Sequence, residues 1–588
     1  MSVKIKSAGK VLLIAMVITA GIISVKWYQA RPKEAGKAVE VGKILLPDAP
    51  EASLNEHAVL LPLPSNNEAV NGGTSITWER MAWNAQFSGM YANGGVRTTH
   101  GSLFDKAHLD ITYLRQDDCN KQMADLVKFA GQYKTNPGAP AVLVSFMGDG
   151  MPAFMTSLSK ELEPLGPEYQ PIILPIAHGK SFGEDQIMGP PAWKQDPHNA
   201  VGKCVAGVLR DGDVNILLKW AGDNGIMVNP DETTYDPDAV NLIAAGDFLD
   251  APNKYITGYT ESRKIIRDGK TTGRDTTVAV DAVATWTPGD VNVATKKGGL
   301  VTIANTRQYA SQMPVQTIAI KKWAYDHRTD IENMIIALAQ AGDQVRSFTE
   351  ARKFAAQVSA SVYQEQNADY WLKYFNGVQE KDIRGLSVHL GGSAVFNLAD
   401  MAGTFGLGPD KVDRYKAVYN TFGNLMVRMY PSLMPNYMPY EKAVDKSFLL
   451  SVISNHPELL EGRASSTQYA SEITSEVSSR SYHIEFETGS AVIRPESHKM
   501  LDSIFESAVV AEGLKLGVYG HTDNSGPDAV NGPLSEKRAD AVKVYLLGKG
   551  LAANRIETKG YGSARPVGDN STVIGRSRNR RVEIVLGQ

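Results

Sequence analysis

The chain has 588 residues, of which 43% are hydrophobic, and this length and composition predict several folded domains with apolar cores. Its 61 basic and 64 acidic residues leave a formal charge of −3, so no general positive field exists to attract nucleic acid. The two cysteines, Cys119 and Cys204, lie outside any Cys/His cluster, which excludes a structural zinc site. They form either one disulfide or two buried thiols.

Residues 1–28 predict a cytoplasmic basic stub followed by a membrane segment. Lysines precede the uncharged run at 11–25, and Trp27 and Tyr28 follow it. This order favours a single-pass signal anchor in the inner membrane of a Gram-negative-type envelope, with the bulk of the chain periplasmic. The run is short against the roughly 17 to 25 residues of a transmembrane helix, and a cleaved signal peptide is the alternative.

Residues 29–72 are predicted to form a linker, because prolines interrupt any regular element in this Pro-, Ala-, Glu- and Asn-rich segment. Two short apolar patches, at 44–47 and 59–64, are expected to pack on the domain that follows.

Residues 73–455 alternate strand-like and helix-like segments, which predicts an α/β domain with largely parallel sheets. So long a stretch exceeds a single core and predicts two lobes. The predicted strands lie at 74–83, 110–114, 141–146, 170–176 and 204–208, and the clearest helices lie at 119–132 and 330–341.

Glycine-rich turns follow several of these strands. Ligands of open α/β sheets bind beyond the carboxyl ends of strands, where such loops supply N–H and hydroxyl donors. We therefore expect a small polar or anionic solute there, although plain tight turns would explain the same residues. The candidate solute-binding residues are Trp83, Asn93, Gly94, Thr98, Thr99, Ser102, Asp149 and Trp286.

Catalytic and metal-binding motifs are weak. The segment 179–183 fits G-x-S-x-G, which keeps a serine hydrolase with Ser181 as nucleophile as a minor alternative, but Gly189 and two prolines follow too soon for the required helix. The acidic pairs at 117–118, at 184–185 and at 211 and 213 lack the spacing of a calcium loop and are predicted to be solvated turns. No enzymatic activity, metal or cofactor is predicted.

Residues 73–365 also resemble a known family, which bears on the predicted two-lobed α/β domain. Trp78 and Trp83, a Gly-Gly loop, and the segments 199–206 and 280–288 follow one another in an order similar to the type II periplasmic substrate-binding proteins of the nitrate, sulfonate and taurine class. The resemblance implies a bilobal domain that serves ABC transporter uptake. The chain departs from that class at 211–213, 255–263 and 371–430.

The C-terminal residues 481–588 follow a Ser/Thr/Glu-rich segment, 456–480, that is predicted to be a second linker. Strands at 482–486, 516–519, 555–560 and 581–586 alternate with helices that begin at Pro495 and run through 541–546. This order predicts a compact two-layer α+β domain.

The segment 520–526 reads Gly-His-Thr-Asp-Asn-Ser-Gly, and Leu534-Ser535, Arg538-Ala539 and the Asn-Arg-Arg of 579–581 follow it. These motifs resemble the OmpA-like domain of outer-membrane porin tails, peptidoglycan-associated lipoproteins and flagellar-motor stator proteins. The resemblance implies that Asp523 and Arg538 hold the free amino-acid end of diaminopimelate in peptidoglycan. The residues expected to shape the groove are Thr522, Asn531, Leu534, Ser535 and Arg580.

Elementary chemistry supports this assignment, since a zwitterion needs a carboxylate for its ammonium and a guanidinium for its carboxylate. Arg538 is expected near the start of a helix, whose N-terminus would add donors. The alternative is that Asp523 caps a turn and pairs with Arg538.

The sequence thus predicts a membrane-anchored periplasmic protein that docks on peptidoglycan and presents a domain for a solute or a protein partner. The alternative is a force-bearing tether in an envelope protein complex, without a small-molecule ligand.

Overall fold

The computed structural model describes residues 37–43, 46, 53–54, 58–69, 72–210, 212–461, 463–464, 469–474, 476–487, 489–510 and 514–587. The predicted membrane segment at 11–25, much of the first linker and Asp211 lie outside these ranges. Within them, no helix combines the length and the apolar character that crossing a bilayer requires.

The strands of the described chain are short and are numbered in chain order. They are β1 (Val39–Glu40), β2 (Ser53–Leu54), β3 (Thr74–Arg80), β4 (Leu109–Arg115), β5 (Ala141–Met147), β6 (Pro171–Leu174), β7 (Gly179–Ser181), β8 (Gln186–Gly189), β9 (Cys204–Gly207), β10 (Met227–Asn229), β11 (Thr234–Tyr235), β12 (Val240–Ala244), β13 (Thr260–Arg267), β14 (Lys270–Ala279), β15 (Ala282–Thr285), β16 (Val301–Asn305), β17 (Val315–Ile320), β18 (Val378–Lys381), β19 (Ser387–Leu390), β20 (Ser393–Val395), β21 (Arg463–Ala464), β22 (Glu476–Tyr482), β23 (Lys515–Gly520), β24 (Ile556–Gly560) and β25 (Val582–Gly587).

The α-helices are numbered in the same way. They are α1 (Phe87–Asn93), α2 (Leu103–Lys106), α3 (Cys119–Thr135), α4 (Met151–Leu162), α5 (Ala192–Gln195), α6 (Gly212–Asp223), α7 (Asp250–Thr257), α8 (Gly289–Lys296), α9 (Lys321–Asp326), α10 (Arg328–Ser347), α11 (Thr349–Tyr363), α12 (Ala368–Asn376), α13 (Leu398–Thr404), α14 (Arg414–Met429), α15 (Tyr440–Ala443), α16 (Ser447–Asn455), α17 (His498–Val510), α18 (Asp528–Gly548) and α19 (Val573–Asn579).

Two sheets form the middle of the molecule. Among the described residues, the first sheet has the strand order β4-β3-β5-β17-β6, and β3 is parallel to both β4 and β5. The second sheet has the order β1-β10-β12-β9-β15-β8-β16, with β10, β12, β9 and β15 parallel. The chain passes from the first sheet to the second between β6 and β8, and returns between β16 and β17. The predicted mixed α/β class is therefore present. Each of the two sheets contains parallel strands, whose carboxyl ends lie at one edge of the sheet.

A continuous apolar core runs through both sheets and includes part of the predicted first linker. Val41 and Leu46 are buried in it. The Leu61 N–H donates to Gln344 Oε1 at 2.9 Å, and Gln344 Nε2 donates to the Val59 carbonyl at 2.9 Å. Residues from both apolar patches of that linker therefore pack on the domain that follows.

The C-terminal sheet has the order β22-β25-β23-β24 within the described residues, and β23 and β24 are its parallel pair. Its core, which includes Leu501, Leu516 and Val542, is separate from the core of the first two sheets. The residues from β22 onward thus have an apolar core of their own.

One strand prediction is wrong in this region. β22 covers Glu476–Tyr482, so it lies mostly within the segment predicted as a linker and ends where the strand at 482–486 was expected. β22 is at the edge of the C-terminal sheet and is held by its antiparallel ladder to β25. Edge strands tolerate polar residues because backbone pairing holds them, and this explains why a Ser-rich strand resembled a linker.

The two cysteines lie apart, because Cys119 begins α3 beside the first sheet and Cys204 begins β9 in the second. They do not form a disulfide with each other. Burial raises the pKa of the Cys204 thiol to about 12, so this thiol is an inert apolar group at neutral pH.

Candidate functional site

The turn after β23 presents Asp523 at the carboxyl end of the C-terminal sheet. Asp523 is 8% exposed. Its Oδ2 accepts a hydrogen bond from Arg580 Nη1 at 2.5 Å, and its Oδ1 accepts one from the Ser525 N–H at 3.0 Å. Burial opposes ionisation, but the Ser525 and Arg580 contacts prevail and hold the pKa of Asp523 below its ordinary value. Asp523 is therefore a carboxylate at neutral pH.

Arg538 lies well inside α18, which begins at Asp528, so the expectation that it stands near a helix start is wrong. The helix continues through Gly532 and Pro533, residues that usually end one. Arg538 Nε donates to the Ser490 carbonyl at 3.0 Å, and its guanidinium lies 4.9 Å from the centre of the Phe486 ring. The side chain is thus positioned by the segment before α17, and not by the helix dipole.

The pairing of Asp523 also differs from the alternative considered above, because its partner is Arg580 and not Arg538. Among the described residues, no carboxylate forms an ion pair with Arg538. Burial, and then the neighbouring charge of Arg580, lower the pKa of Arg538, while Asp523 raises it. The site therefore combines two guanidinium groups with one carboxylate and leaves Arg538 available for an anionic group.

Two of the predicted groove residues have internal roles. Asn531 Nδ2 donates to the Asp523 carbonyl at 3.1 Å and to the Gly526 carbonyl at 2.8 Å, which fixes the turn. Ser535 Oγ donates to the Gly532 carbonyl at 2.7 Å and accepts from the Gly562 N–H at 2.9 Å. Asn531 and Ser535 therefore hold the turn and the helix in place.

The other predicted groove residues, Thr522, Leu534 and Arg580, differ in how far their side chains are exposed. The Thr522 hydroxyl is buried and has no hydrogen-bond partner among the described residues. Leu534 is half-buried on α18, and the side chain of Arg580 remains 45% exposed beside Asp523. Asp523, Arg538 and Arg580 are thus the polar residues of the predicted set that lie where a ligand could reach them.

Two glycines determine how closely α18 approaches the sheet. A Cβ on Gly520 would lie 2.1 Å from the Ser535 carbonyl oxygen, and a Cβ on Gly560 would lie 2.5 Å from the Glu536 nitrogen. No other residue fits at either position without moving the backbone of α18. These contacts fix the distance between the Asp523 turn and Arg538.

His521 lies directly beneath the Asp523 turn. Its side chain is 1% exposed, its Nε2 lies 3.0 Å from Glu583 Oε2, and its ring stacks on Tyr561 with the centroids 5.4 Å apart. Burial and the nearby Arg581 lower the pKa of His521 to about 4. At neutral pH the ring is therefore neutral, and its Nε2–H donates to Glu583.

This histidine predicts a pH dependence of stability. Its pKa is about 4 when folded and roughly 6.5 when unfolded, so the unfolded chain binds more protons between these values. The C-terminal domain should lose on the order of 2 to 3 kcal/mol as the pH falls from about 6.5 to about 4. Hydrogen exchange of the β23 amides measures this change.

His521→Gln should remove that loss, whereas His498→Gln, at an exposed position in α17, should retain it. Asp523 and Glu583 have lowered pKa values and contribute only at more acidic pH. An unchanged pH profile in His521→Gln would contradict this assignment.

Three of the predicted solute-binding residues lie where the first and second sheets face each other. Trp286, which follows β15, donates from Nε1 to the Ala82 carbonyl after β3 at 3.3 Å. Asn215 Nδ2 in α6 donates to the Asp149 carbonyl after β5 at 3.3 Å. Trp83, beside Ala82, is buried at the same boundary. The structure thus brings Trp83, Asp149 and Trp286 to one interface between strand ends.

The remaining predicted solute-binding residues lie elsewhere, along β4. Thr98 Oγ1 donates to Asn93 Oδ1 at 2.8 Å and accepts from the Ile111 N–H at 2.8 Å. Ser102 caps α2, and Gly94 and Thr99 belong to the same turn after α1. Their polar groups are used internally, which agrees with the tight-turn alternative, and they do not converge with Trp83, Asp149 and Trp286.

The prediction of solvated acidic turns is wrong for Glu184, Asp185 and Asp213, which are buried. The Ser393 hydroxyl donates to Glu184 Oε2. No local pattern indicates this burial, because the covering residue lies 209 positions further along the chain. Asp118 caps α3, and Asp211 lies outside the described residues.

Ser181 does not occupy a nucleophile elbow. It ends β7, its Oγ lies 2.7 Å from Thr306 Oγ1, and it accepts a hydrogen bond from the Asp185 N–H at 3.1 Å. A strand that pairs with β20 replaces the strand-to-helix turn of hydrolases. In the part of the chain that the structure describes, no three His, Cys, Asp or Glu residues are grouped as a metal site.

Comparison with known proteins places the C-terminal site in a family context. Residues 485–580 match the OmpA family. Outer membrane porin F of Pseudomonas fluorescens is 42% identical over 100 residues, which are 17% of this chain and 31% of the porin. Outer membrane protein A of Bordetella avium is 41% identical over 101 residues, 17% of this chain and 52% of that protein. The predicted OmpA-like domain is thereby confirmed.

A further curated relative is the peptidoglycan-binding protein ArfA of Mycobacterium tuberculosis, 37% identical over 103 residues, 18% of this chain and 32% of ArfA. The chain therefore spans 31% to 52% of the length of these relatives. Among solved structures, the cell wall anchor of the T6SS from Pseudomonas aeruginosa is 32% identical, covering 17% of this chain and 73% of that one, with a TM-score of 0.16. The periplasmic domain of Helicobacter pylori MotB is 22% identical, covering 20% and 79%, with a TM-score of 0.18.

Proposed function

We propose that this chain docks non-covalently on peptidoglycan through its OmpA-like domain. The observation that carries the proposal is the arrangement of ionised Asp523 beside an Arg538 that forms no ion pair among the described residues. The printed name of ArfA, a relative over this domain, states peptidoglycan binding, and the OmpA-family match favours an envelope location.

The proposed ligand group is the free amino-acid end of diaminopimelate. Its ammonium would bind Asp523, and its carboxylate would accept hydrogen bonds from the Nη groups of Arg538. Arg580 neutralises Asp523 before the ligand arrives. It would also lie within reach of the carboxylate of the ligand. A guanidinium suits this task because its fork of donors matches the two oxygens of a carboxylate.

Co-sedimentation of the full chain with purified diaminopimelate-type peptidoglycan tests this function. The chain should pellet with the peptidoglycan, and Asp523→Asn should bind about 10-fold or more weakly, because the ammonium loses its charged partner. Glu536→Gln removes one negative charge from exposed α18 surface and should bind like the parent. Equal binding by Asp523→Asn would refute the role of this carboxylate.

For residues 73–455 we propose a bilobal solute-binding domain, with a structural tether as the alternative. What favours solute binding is the meeting of the carboxyl ends of two sheets at Ala82 and Trp286, with chain segments that cross between the sheets after β6 and after β16. A ligand of the native state must raise the unfolding temperature by mass action. If no solute in a panel raised the unfolding temperature, the structural tether would be the favoured function of these residues.

We also propose that residues 11–25 anchor the chain in the inner membrane and that the bulk of it is periplasmic and without catalytic activity. The basic flank and the interfacial aromatic residues support the anchor. After peptidoglycan is digested with lysozyme, the chain should still fractionate with inner membranes. Release into the soluble fraction would contradict the anchor, and labelling of Ser181 by a fluorophosphonate would contradict the absence of catalysis.

A further inference from the structure

A buried acidic cluster lies beside the loop that follows β3, and its members differ in how well they are satisfied. Glu184 and Asp290 are both 0% exposed. The Asp290 carboxylate accepts hydrogen bonds from Gln186 Nε2 at 3.0 Å, Thr287 Oγ1 at 3.1 Å and the N–H groups of Val291 and Gly391 at 2.7 and 3.0 Å. Asp290 therefore has a complete set of hydrogen-bond partners, and it links the start of α8 to β8 and to the turn after β19.

Glu184 has fewer partners. Its Oε2 accepts from the Ser393 hydroxyl, and its Oε1 receives only a long contact of 3.5 Å from the Asn84 N–H. Among the described residues, no lysine or arginine forms an ion pair with Glu184 or Asp290. Burial, and then the neighbouring Asp185, raise the pKa of Glu184 well above its ordinary value. A buried carboxylate without a cation is costly, so Glu184 is held in its neutral form here, and a positive partner would stabilise its ionised form.

Unpartnered polar groups surround the same carboxyl. Asn84 is 0% exposed, and neither the oxygen nor the nitrogen of its side-chain amide has a partner among the described residues. The Trp83 indole N–H and the Tyr370 hydroxyl are likewise buried without partners there. Gly392 accepts the Glu184 N–H at 3.1 Å and donates to the Tyr374 carbonyl at 2.7 Å, one turn after Tyr370 in α12. Burial, and then the charge of Asp290, raise the pKa of Tyr370, and Glu184 contributes less to the same shift. Buried groups of this kind are normally hydrogen-bonded, and their concentration here points to a polar ligand.

We propose that Glu184, together with Asn84, Trp83 and Tyr370, binds the ammonium group of a small organic amine. This inference rests on the proposed solute-binding role of residues 73–455 and specifies the charge of the solute. The Glu184 carboxylate would form the ion pair, and the Asn84 amide oxygen and the Tyr370 hydroxyl would accept the remaining N–H groups. The aromatic face of Trp83 offers the cation an electron-rich surface.

Charge decides between this ligand and the polar or anionic solute expected from the sequence. An anion in this position would be repelled by Glu184 and Asp290 wherever they are ionised, whereas an ammonium group would stabilise the ionised form of Glu184 by pairing with it. The neighbouring guanidinium, that of Arg307, lies against Gly183 and Gly392. Arg307 is exposed, so solvent screens its positive charge from the buried site. Because Glu184 and Asn84 are fully buried, an amine reaches them only when the loop after β3 separates from residues 182–185.

Thermal unfolding of the full chain, followed by tryptophan fluorescence, tests the proposal. All eight tryptophans precede residue 481, so the signal excludes the OmpA-like domain. The probes are choline, ethanolamine and putrescine, compared with phosphate, sulfate, nitrate and Ca²⁺ at equal concentration. At least one amine should raise the unfolding temperature by about 3 °C or more, and the anions and Ca²⁺ should not.

Two variants locate the effect. Glu184→Gln should remove the shift, and Tyr370→Phe, which deletes one hydroxyl, should weaken amine binding at least several-fold while the protein stays folded. Glu350→Gln, on the exposed first turn of α11, should retain the full shift.

The remaining outcomes separate two failures. A shift with phosphate, sulfate or nitrate alone would overturn the amine inference and leave solute binding standing, and a shift with Ca²⁺ alone would overturn it in favour of a metal site. An amine shift that persists undiminished in both variants would overturn the site. No shift with any probe would overturn the inference together with the proposed solute binding, without bearing on peptidoglycan docking.

Discussion

Arg538→Ala should weaken the binding of the chain to diaminopimelate-type peptidoglycan by about 30-fold or more, the effect of roughly 2 to 5 kcal/mol expected when one partner of a desolvated charge pair is removed. The reason is geometric as well as electrostatic. The Ser490 carbonyl holds Arg538 Nε at 3.0 Å and Phe486 supports the guanidinium, so the Nη groups are oriented before the ligand arrives. Co-sedimentation over a range of peptidoglycan concentrations measures the change.

Two controls separate charge from geometry. Lys537→Ala removes the same charge from the neighbouring, exposed position of α18 and should bind nearly as well as the parent. Arg538→Lys retains the charge but loses the fork of donors, so it should recover only part of the lost affinity. If Lys537→Ala and Arg538→Ala weakened binding equally, the effect would come from the general charge of the surface, and the assignment of Arg538 would fail.

Gly520→Ala should destabilise the OmpA-like domain by about 3 kcal/mol or more, at the upper end of the cost of overpacking. A Cβ at this position would lie 2.1 Å from the Ser535 carbonyl oxygen. Ser535 cannot move alone, because its hydroxyl is bonded to Gly532 and Gly562. The helix would have to shift away from β23, which would also displace Arg538 from Asp523. Hydrogen exchange at the β23 and β25 amides measures the loss.

Gly532→Ala is the matched control, since a Cβ there meets nothing within 4 Å and the residue lies inside α18. Its effect should be neutral or stabilising by up to about 1 kcal/mol, because alanine favours helix more than glycine does. In both variants the tryptophan-monitored unfolding of residues 73–455 should be unchanged, since the OmpA-like domain has a separate core. Equal stability of Gly520→Ala and Gly532→Ala would contradict the close-packing argument.

The OmpA-like domain could be predicted from the sequence because the residues that define it lie close together in the chain. Asp523 lies in a turn whose own residues fix it, and Asn531 returns to the same turn from the next helix. The support of Arg538 by Phe486 and Ser490 was not predicted, because Ser490 lies 48 positions before Arg538 in the chain. The start of α18 was misplaced because Gly532 and Pro533 indicate a helix end, whereas packing against the sheet maintains the helix.

The middle of the chain was less predictable because its contacts join residues far apart. Trp83 and Trp286 follow strand ends that do meet, but the participation of Glu184 depends on Ser393, which belongs to the segment that departs from the uptake class, and on Tyr370 just before that segment. An acidic pair followed by glycine and prolines carries no local sign of burial. Asn93, Thr98 and Ser102 illustrate the converse, since their composition suggests a ligand while their hydrogen bonds are internal.

In the proposed complex, the OmpA-like domain holds the free amino-acid end of diaminopimelate between Asp523 and Arg538. Calorimetric titration of the full chain with a soluble stem peptide that contains diaminopimelate, and with the same peptide containing lysine, tests it most directly. Lysine lacks the second carboxylate, so it offers Arg538 no partner. We expect saturable binding of the diaminopimelate peptide and at least about 30-fold weaker binding of the lysine peptide. Equal affinity for the two peptides, or no binding of the first, would contradict it.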